Sequence, residues 1–102
     1  MYVKIDQNFS ATLEDVQNFR VFKLVISNKI TDLTVLADKI PELVHTVEEN
    51  HAWLSQDTVE KLGPADANWV RQYQGMIAYA ETKGWTRGVP PEVAAHIEVL
   101  PD

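Results

Sequence analysis

The sequence predicts a mostly α-helical protein: one domain spanning 1–102, built from four or five helices. Three observations carry this reading. A long apolar stripe lies between start and stop signals from Pro64 to Trp85, a second stripe runs from Pro41 to Leu54, and capping residues precede shorter apolar runs near 31–40 and 55–63. Two segments stand apart from the helical pattern. Residues 1–6 and 96–100 alternate and are able to form a short terminal strand pair, and the run 19–26 supports the alternative, an α+β fold in which it is a strand.

The first stripe is the clearest. Gly63-Pro64-Ala65-Asp66 reads as a helix start, since proline at the first position lacks only a donor that would be unpaired anyway, and a nearby carboxylate meets the positive end of the dipole. At about 100° per residue, Trp69, Val70, Tyr73, Met76, Ile77 and Ala80 share one face, with Arg71, Gln74, Ala78 and Thr82 opposite. Lys83-Gly84-Trp85 supplies the stop, because glycine takes the left-handed conformation freely and the next residue folds back onto the last turn near Tyr79 or Ala80. The expected helix covers 64–83.

The remaining elements follow in chain order. Met1, Val3 and Ile5 alternate with Tyr2, Lys4 and Asp6. Ser10 to Asp15 resembles a helix entrance, with hydroxyls to cap and acids in the first turn. Phe19 to Ile26 spreads its apolar residues around a helix, and its β-branched and aromatic content suits a strand equally; the capping signals ahead of it favour helix. Thr31 or Asp32 caps a short helix in which Leu33, Leu36, Ala37 and Ile40 share a face. From Pro41, the residues Leu43, Val44, Val47, His51 and Leu54 form the second stripe, and Ser55 caps one further turn through Val59 and Leu62 to Gly63. Past the Gly88-Val89-Pro90-Pro91 loop, Val93, Ala94, Ile97 and Leu100 fit a helical face, while His96 to Leu100 also alternates.

Composition narrows the function classes. The 102 residues carry a formal charge of −6, which disfavours a phosphate-backbone partner and hence nucleic acid. Five carboxylates and no Lys or Arg fall between Pro41 and Glu60, either a solvated acidic face or a docking surface for a basic partner. There is no cysteine, so disulfides and thiolate metal sites are excluded. Met1 to Asp6 lacks a secretion-signal pattern, and the longest apolar run, Met76 to Ala80, is far too short to cross a bilayer; a cytoplasmic protein without membrane contact is expected.

Candidate chemistry is sparse. His45, Glu48, Glu49 and His51 crowd seven residues, but on a helix His45 and His51 point about 120° apart and cannot chelate one ion, so no metal or other cofactor is expected. No serine sits in a glycine-flanked elbow and no glycine-rich phosphate loop exists, which leaves no catalytic residue to name. Among Trp53, Trp69, Tyr73, Tyr79 and Trp85, core packing accounts for Trp69 and Tyr73. Trp53 falls opposite the apolar face of its expected helix, Tyr79 flanks the main stripe, and Gly75 sits on the outer face, where it costs about 1 kcal/mol and leaves room for a close approach. The candidate ligand or interface residues are therefore Trp53, Tyr79, Gly75, His51 and His96. The functional expectation is a non-catalytic, acidic helical module that binds protein, self-associating as a homodimer. The alternative is a small enzyme or ligand-binding protein whose pocket is lined by aromatic and histidine side chains.

Overall fold

The computed structural model describes residues 1–101 and shows an α+β fold, which overturns the mostly helical expectation. Its strands are β1 (Tyr2–Ile5), β2 (Ala11–Glu14), β3 (Lys23–Ile26), β4 (Val44–Glu48), β5 (His51–Ser55), β6 (Thr86–Arg87) and β7 (Glu92–Val99). Its helices are α1 (Leu36–Lys39), which follows the 3-10 turn Leu33–Val35, α2 (Gln56–Leu62) and α3 (Ala67–Thr82). All seven strands join one mixed sheet in the order β2-β1-β3-β7-β5-β4, with β6 also paired to β7. β1, β3 and β7 run parallel; the β1–β2, β4–β5, β5–β7 and β6–β7 pairs are antiparallel.

Period-two alternation sets the two faces of this sheet. Val3, Ile5, Leu24, Ile26, Ala52, Leu54, Val93, Ala95 and Ile97 point to one side and are buried, together with Val59 of α2 and Trp69, Tyr73 and Ala80 of α3. Trp69 and Tyr73 stack at 5.3 Å, the Trp69 indole donates to the Val16 carbonyl at 2.8 Å, and the Tyr73 hydroxyl donates to the Gln56 carbonyl at 2.8 Å. Tyr2, Lys4, Lys23, Val25, Trp53, His51, Ala94, His96 and Glu98 occupy the opposite positions, and neither α2 nor α3 packs there.

The strands β3 and β6 lie on the same side of β7, end to end. Val93 pairs with Leu54 on one side and Thr86 on the other, while His96 pairs with His51 on one side and Lys23 on the other. Between them only Ala95 has no residue paired to it on that side, because the Ala94 amide donates to the Trp85 carbonyl at 2.8 Å; Phe22 and Trp85, the residues leading into β3 and β6, flank this junction.

The long helix is close to the expectation for 64–83. Asp66, not Pro64, makes the boundary: its carboxylate accepts from the Asn68 and Trp69 amides, and helix begins at Ala67. At the other end Gly84 adopts φ 76°, the Trp85 amide returns to the Ala80 carbonyl at 3.0 Å, and the Trp85 ring meets Tyr79 edge-on at 6.5 Å. Trp69 and Tyr73 are buried, whereas Met76 and Ile77 are half-buried. Asp32 caps the 3-10 turn, and Ser55 caps α2.

The stretch expected as a helix from Pro41 to Leu54 is instead the β4–β5 hairpin, turning at Glu49 and Asn50 with Glu49 at φ 28°. A bulge between Val44 and Thr46 explains the misreading. It inserts His45 as an extra residue, so Val44 and Val47, three apart, both face inward and imitate helical spacing. The helix entrance expected at Ser10 to Asp15 is instead the strand β2 with one flanking residue at each end, in a hairpin whose turn has Asp6 accepting from the amides of Asn8 and Ser10. Within 19–26 only Lys23–Ile26 is strand, as in the α+β alternative. The termini do not pair with each other, because β3 lies between β1 and β7.

Candidate functional site

The uncovered sheet face carries an open-sided groove of about 480 Å³ lined by Phe22, His51, Trp53, Gly84, Trp85, Ala94, Ala95 and His96. A second groove of about 430 Å³ adjoins it, sharing Phe22, Trp85 and Ala94, and runs beside α3 along Phe19, Arg20, Met76, Tyr79, Ala80 and Val93. The junction of β3 and β6 lies between them, where the Ala94 amide donates to the Trp85 carbonyl at 2.8 Å. With small alanines on β7 at this junction, the Phe22 and Trp85 side chains line both grooves. Five of the nine aromatic residues line the two grooves.

Three of the five candidate residues meet here. Trp53, His51 and His96 share the first groove because β5 and β7 place 51, 53 and 96 on one face. Tyr79 lines the second. Gly75 belongs to neither; it is exposed on α3, and a Cβ added there would meet nothing within 4 Å. Phe22, Arg20 and Arg87 are the residues that sequence reasoning passed over. Phe22 and Arg20 fell in the segment read as helix, and Arg87 in a stretch read as loop, so nothing in the pattern placed them beside Trp53 or Tyr79.

Charges around Trp53 form a connected chain. His45 Nδ1 and Glu92 Oε2 lie 2.6 Å apart, Arg87 Nε donates to Glu92 Oε1 at 3.0 Å, Arg87 also reaches Glu48 at 3.6 Å, and Glu48 Oε2 is 3.3 Å from His51 Nε2. The Arg87 guanidinium covers the Trp53 ring at 3.9 Å, a cation–π contact, and the His51 ring meets the same indole edge-on at 6.0 Å. Trp53 Nε1 is buried and has no hydrogen-bond partner among the described residues. The His45–Glu92 pair has the form of an oriented base, but neither residue lines a groove and Glu92 is shared with Arg87. Its role is to tie the β4 bulge to β6 and β7. The nearby Ser55 hydroxyl is buried and already engaged, accepting from the Thr58 amide.

Charges on the rims divide by element. Lys23 donates to Glu98 at 2.8 Å, and that hydrogen bond and charge hold the Glu98 carboxyl below its ordinary range. Arg20, on the second groove, and Lys83, whose ammonium sits 5.5 Å from the Tyr79 ring centre, have no carboxylate partner among the described residues. The two exposed aromatics of the chain are here also, Tyr79 at 58% and Trp85 at 50% exposure. No helix among the described residues is long and apolar enough to cross a membrane. Comparison with protein-family models, curated proteins and solved structures finds no match.

Proposed function

We infer that this chain is a non-catalytic binding module whose recognition surface is the aromatic groove, and that its occupant is a segment of a partner protein carrying aromatic and acidic side chains. The observation that carries this reading is the coincidence of the exposed Tyr79–Trp85 pair with two cations, Arg20 and Lys83, that lack ion-pair partners among the described residues. Exposed aromatics with few rotamers to freeze suit an interface core, and rim charges set partner choice and association rate more than affinity. Neighbouring carboxylates are already engaged: Glu98 with Lys23, and Glu48 and Glu92 with Arg87, each of the latter two also in contact with a histidine ring. A chain of net charge −6 therefore offers one cation-rimmed apolar surface.

Fluorescence anisotropy of a labelled peptide of alternating Asp and Phe tests the reading. Saturable binding is expected, lost in Trp85→Ala, weakened by salt and by Arg20→Glu, and absent for the counterpart with Lys in place of Asp. Equal binding of both peptides, or binding indifferent to Trp85→Ala, contradicts it. The expected homodimer makes a second copy the rival occupant. In that case light scattering at micromolar concentration gives twice the monomer mass, and Tyr79→Ala with Trp85→Ala reduces it.

A further inference from the structure

The register of β5 and β7 sets two imidazoles side by side on the uncovered face. His51 pairs directly with His96, and the Ile97 amide donates to the Asn50 carbonyl at 2.8 Å, so the hydrogen bonds flank this pair instead of joining it. In a non-hydrogen-bonded antiparallel pair the facing side chains are at their closest, with Cβ atoms about 4.5–5.5 Å apart. On a helix, His51 had no imidazole within reach. On this sheet it has one directly across the strand.

We propose that His51 and His96 together bind a divalent transition-metal ion, with Glu48 orienting His51. Two imidazole nitrogens can meet one ion at about 2.0–2.1 Å from neighbouring strand positions, and imidazole suits zinc, nickel and copper. Glu48 faces His51 from β4, its Oε2 lying 3.3 Å from Nε2. A carboxylate on one ring nitrogen leaves Nδ1 to ligate, fixes the tautomer and raises ligand basicity. Lys23, opposite His96 on β3, carries a cation that would oppose a metal, but Glu98 neutralises it at 2.8 Å. Among the described residues no three His, Asp or Glu side chains gather closely enough to form a cage. The site is accordingly open, with two protein nitrogens and water in the remaining positions, and its ion exchanges readily. It lies at the end of the Trp53 groove, so a bound ion would present open positions to whatever occupies that groove. The inference stands on the strand register and does not depend on the partner proposed above.

Titration of the untagged chain with nickel chloride, and separately with copper chloride, tests this, followed by calorimetry and by tryptophan fluorescence. One ion per chain is expected, with copper quenching emission because His51 stands 6.0 Å from the Trp53 ring. His51→Ala and His96→Ala should each abolish this one-ion binding, Glu48→Gln should weaken it by about tenfold or more, and His45→Ala should leave it unchanged. Circular dichroism confirms that each variant is folded. Equal binding by the native chain and both single variants would mean independent surface histidines and overturn the proposal, as would loss of binding in His45→Ala alone.

Discussion

Replacing Tyr73 tests the packing of α3 on the sheet. Its side chain is 2% exposed, stacks on Trp69 with rings 11° from parallel, and donates to the Gln56 carbonyl at the start of α2. Tyr73→Phe removes only the hydroxyl and leaves the Gln56 carbonyl without that donor, a loss of about 1 kcal/mol. Tyr73→Ala also removes the ring and its stacking, which places the loss at about 3–5 kcal/mol. A domain of this size has a total stability on the order of 5–15 kcal/mol, so alanine removes a large share of it and phenylalanine a small one. In thermal terms the phenylalanine variant should melt roughly 4–8 °C lower. Urea titration followed by tryptophan fluorescence measures both, since Trp69 reports directly on the contact. A loss under about 1 kcal/mol for Tyr73→Ala would refute the argument, because no residue so enclosed could be truncated at so little cost.

Four further outcomes follow from backbone geometry, packing and charge. Gly75→Ala should stabilise by about 1 kcal/mol, since the position is helical and open, while Gly84→Ala should destabilise by about the same amount because of its φ of 76°; denaturant midpoints compare the two. A Cβ on Gly63 would overlap the Trp69 ring, which is held by Tyr73 and the Val16 carbonyl, so Gly63→Ala should cost about 1–3 kcal/mol by urea titration. The depressed Glu98 pKa contributes stability above the unfolded carboxylate value, and that stability is lost as pH falls through the folded value. Glu98→Gln should therefore flatten the acid side of the stability–pH profile, and an unchanged profile would remove the Lys23 pair from the account.

The parts of the fold legible in the sequence are those governed by local chemistry. Asp66 and Gly84 bracket α3, Ser55 and Asp32 cap as their types suggest, and the Trp69–Tyr73 stripe is buried. What escaped depends on partners distant along the chain. Lys23–Ile26 becomes a strand because β1 and β7 flank it, and the bulge at His45 disguised β4 as a helix by bringing Val44 and Val47 to the same face. The site shows the same division. Trp53 was set apart from the core on a helical argument, yet strand alternation reaches the same result by placing it opposite Ala52 and Leu54. His51 and His96, forty-five residues apart in sequence, share a groove only through the β5–β7 register.

The proposed partner surface lies along the groove beside α3, where Phe22, Tyr79 and Trp85 converge on Ala94. Amide and indole chemical-shift mapping of the labelled chain with the Asp/Phe peptide tests it most directly. The largest shifts should fall on Phe22, Tyr79, Ala94 and the Trp85 indole, with the buried Trp69 indole unmoved. Shifts centred on the outer face of α2, or spread evenly over the surface, would contradict it.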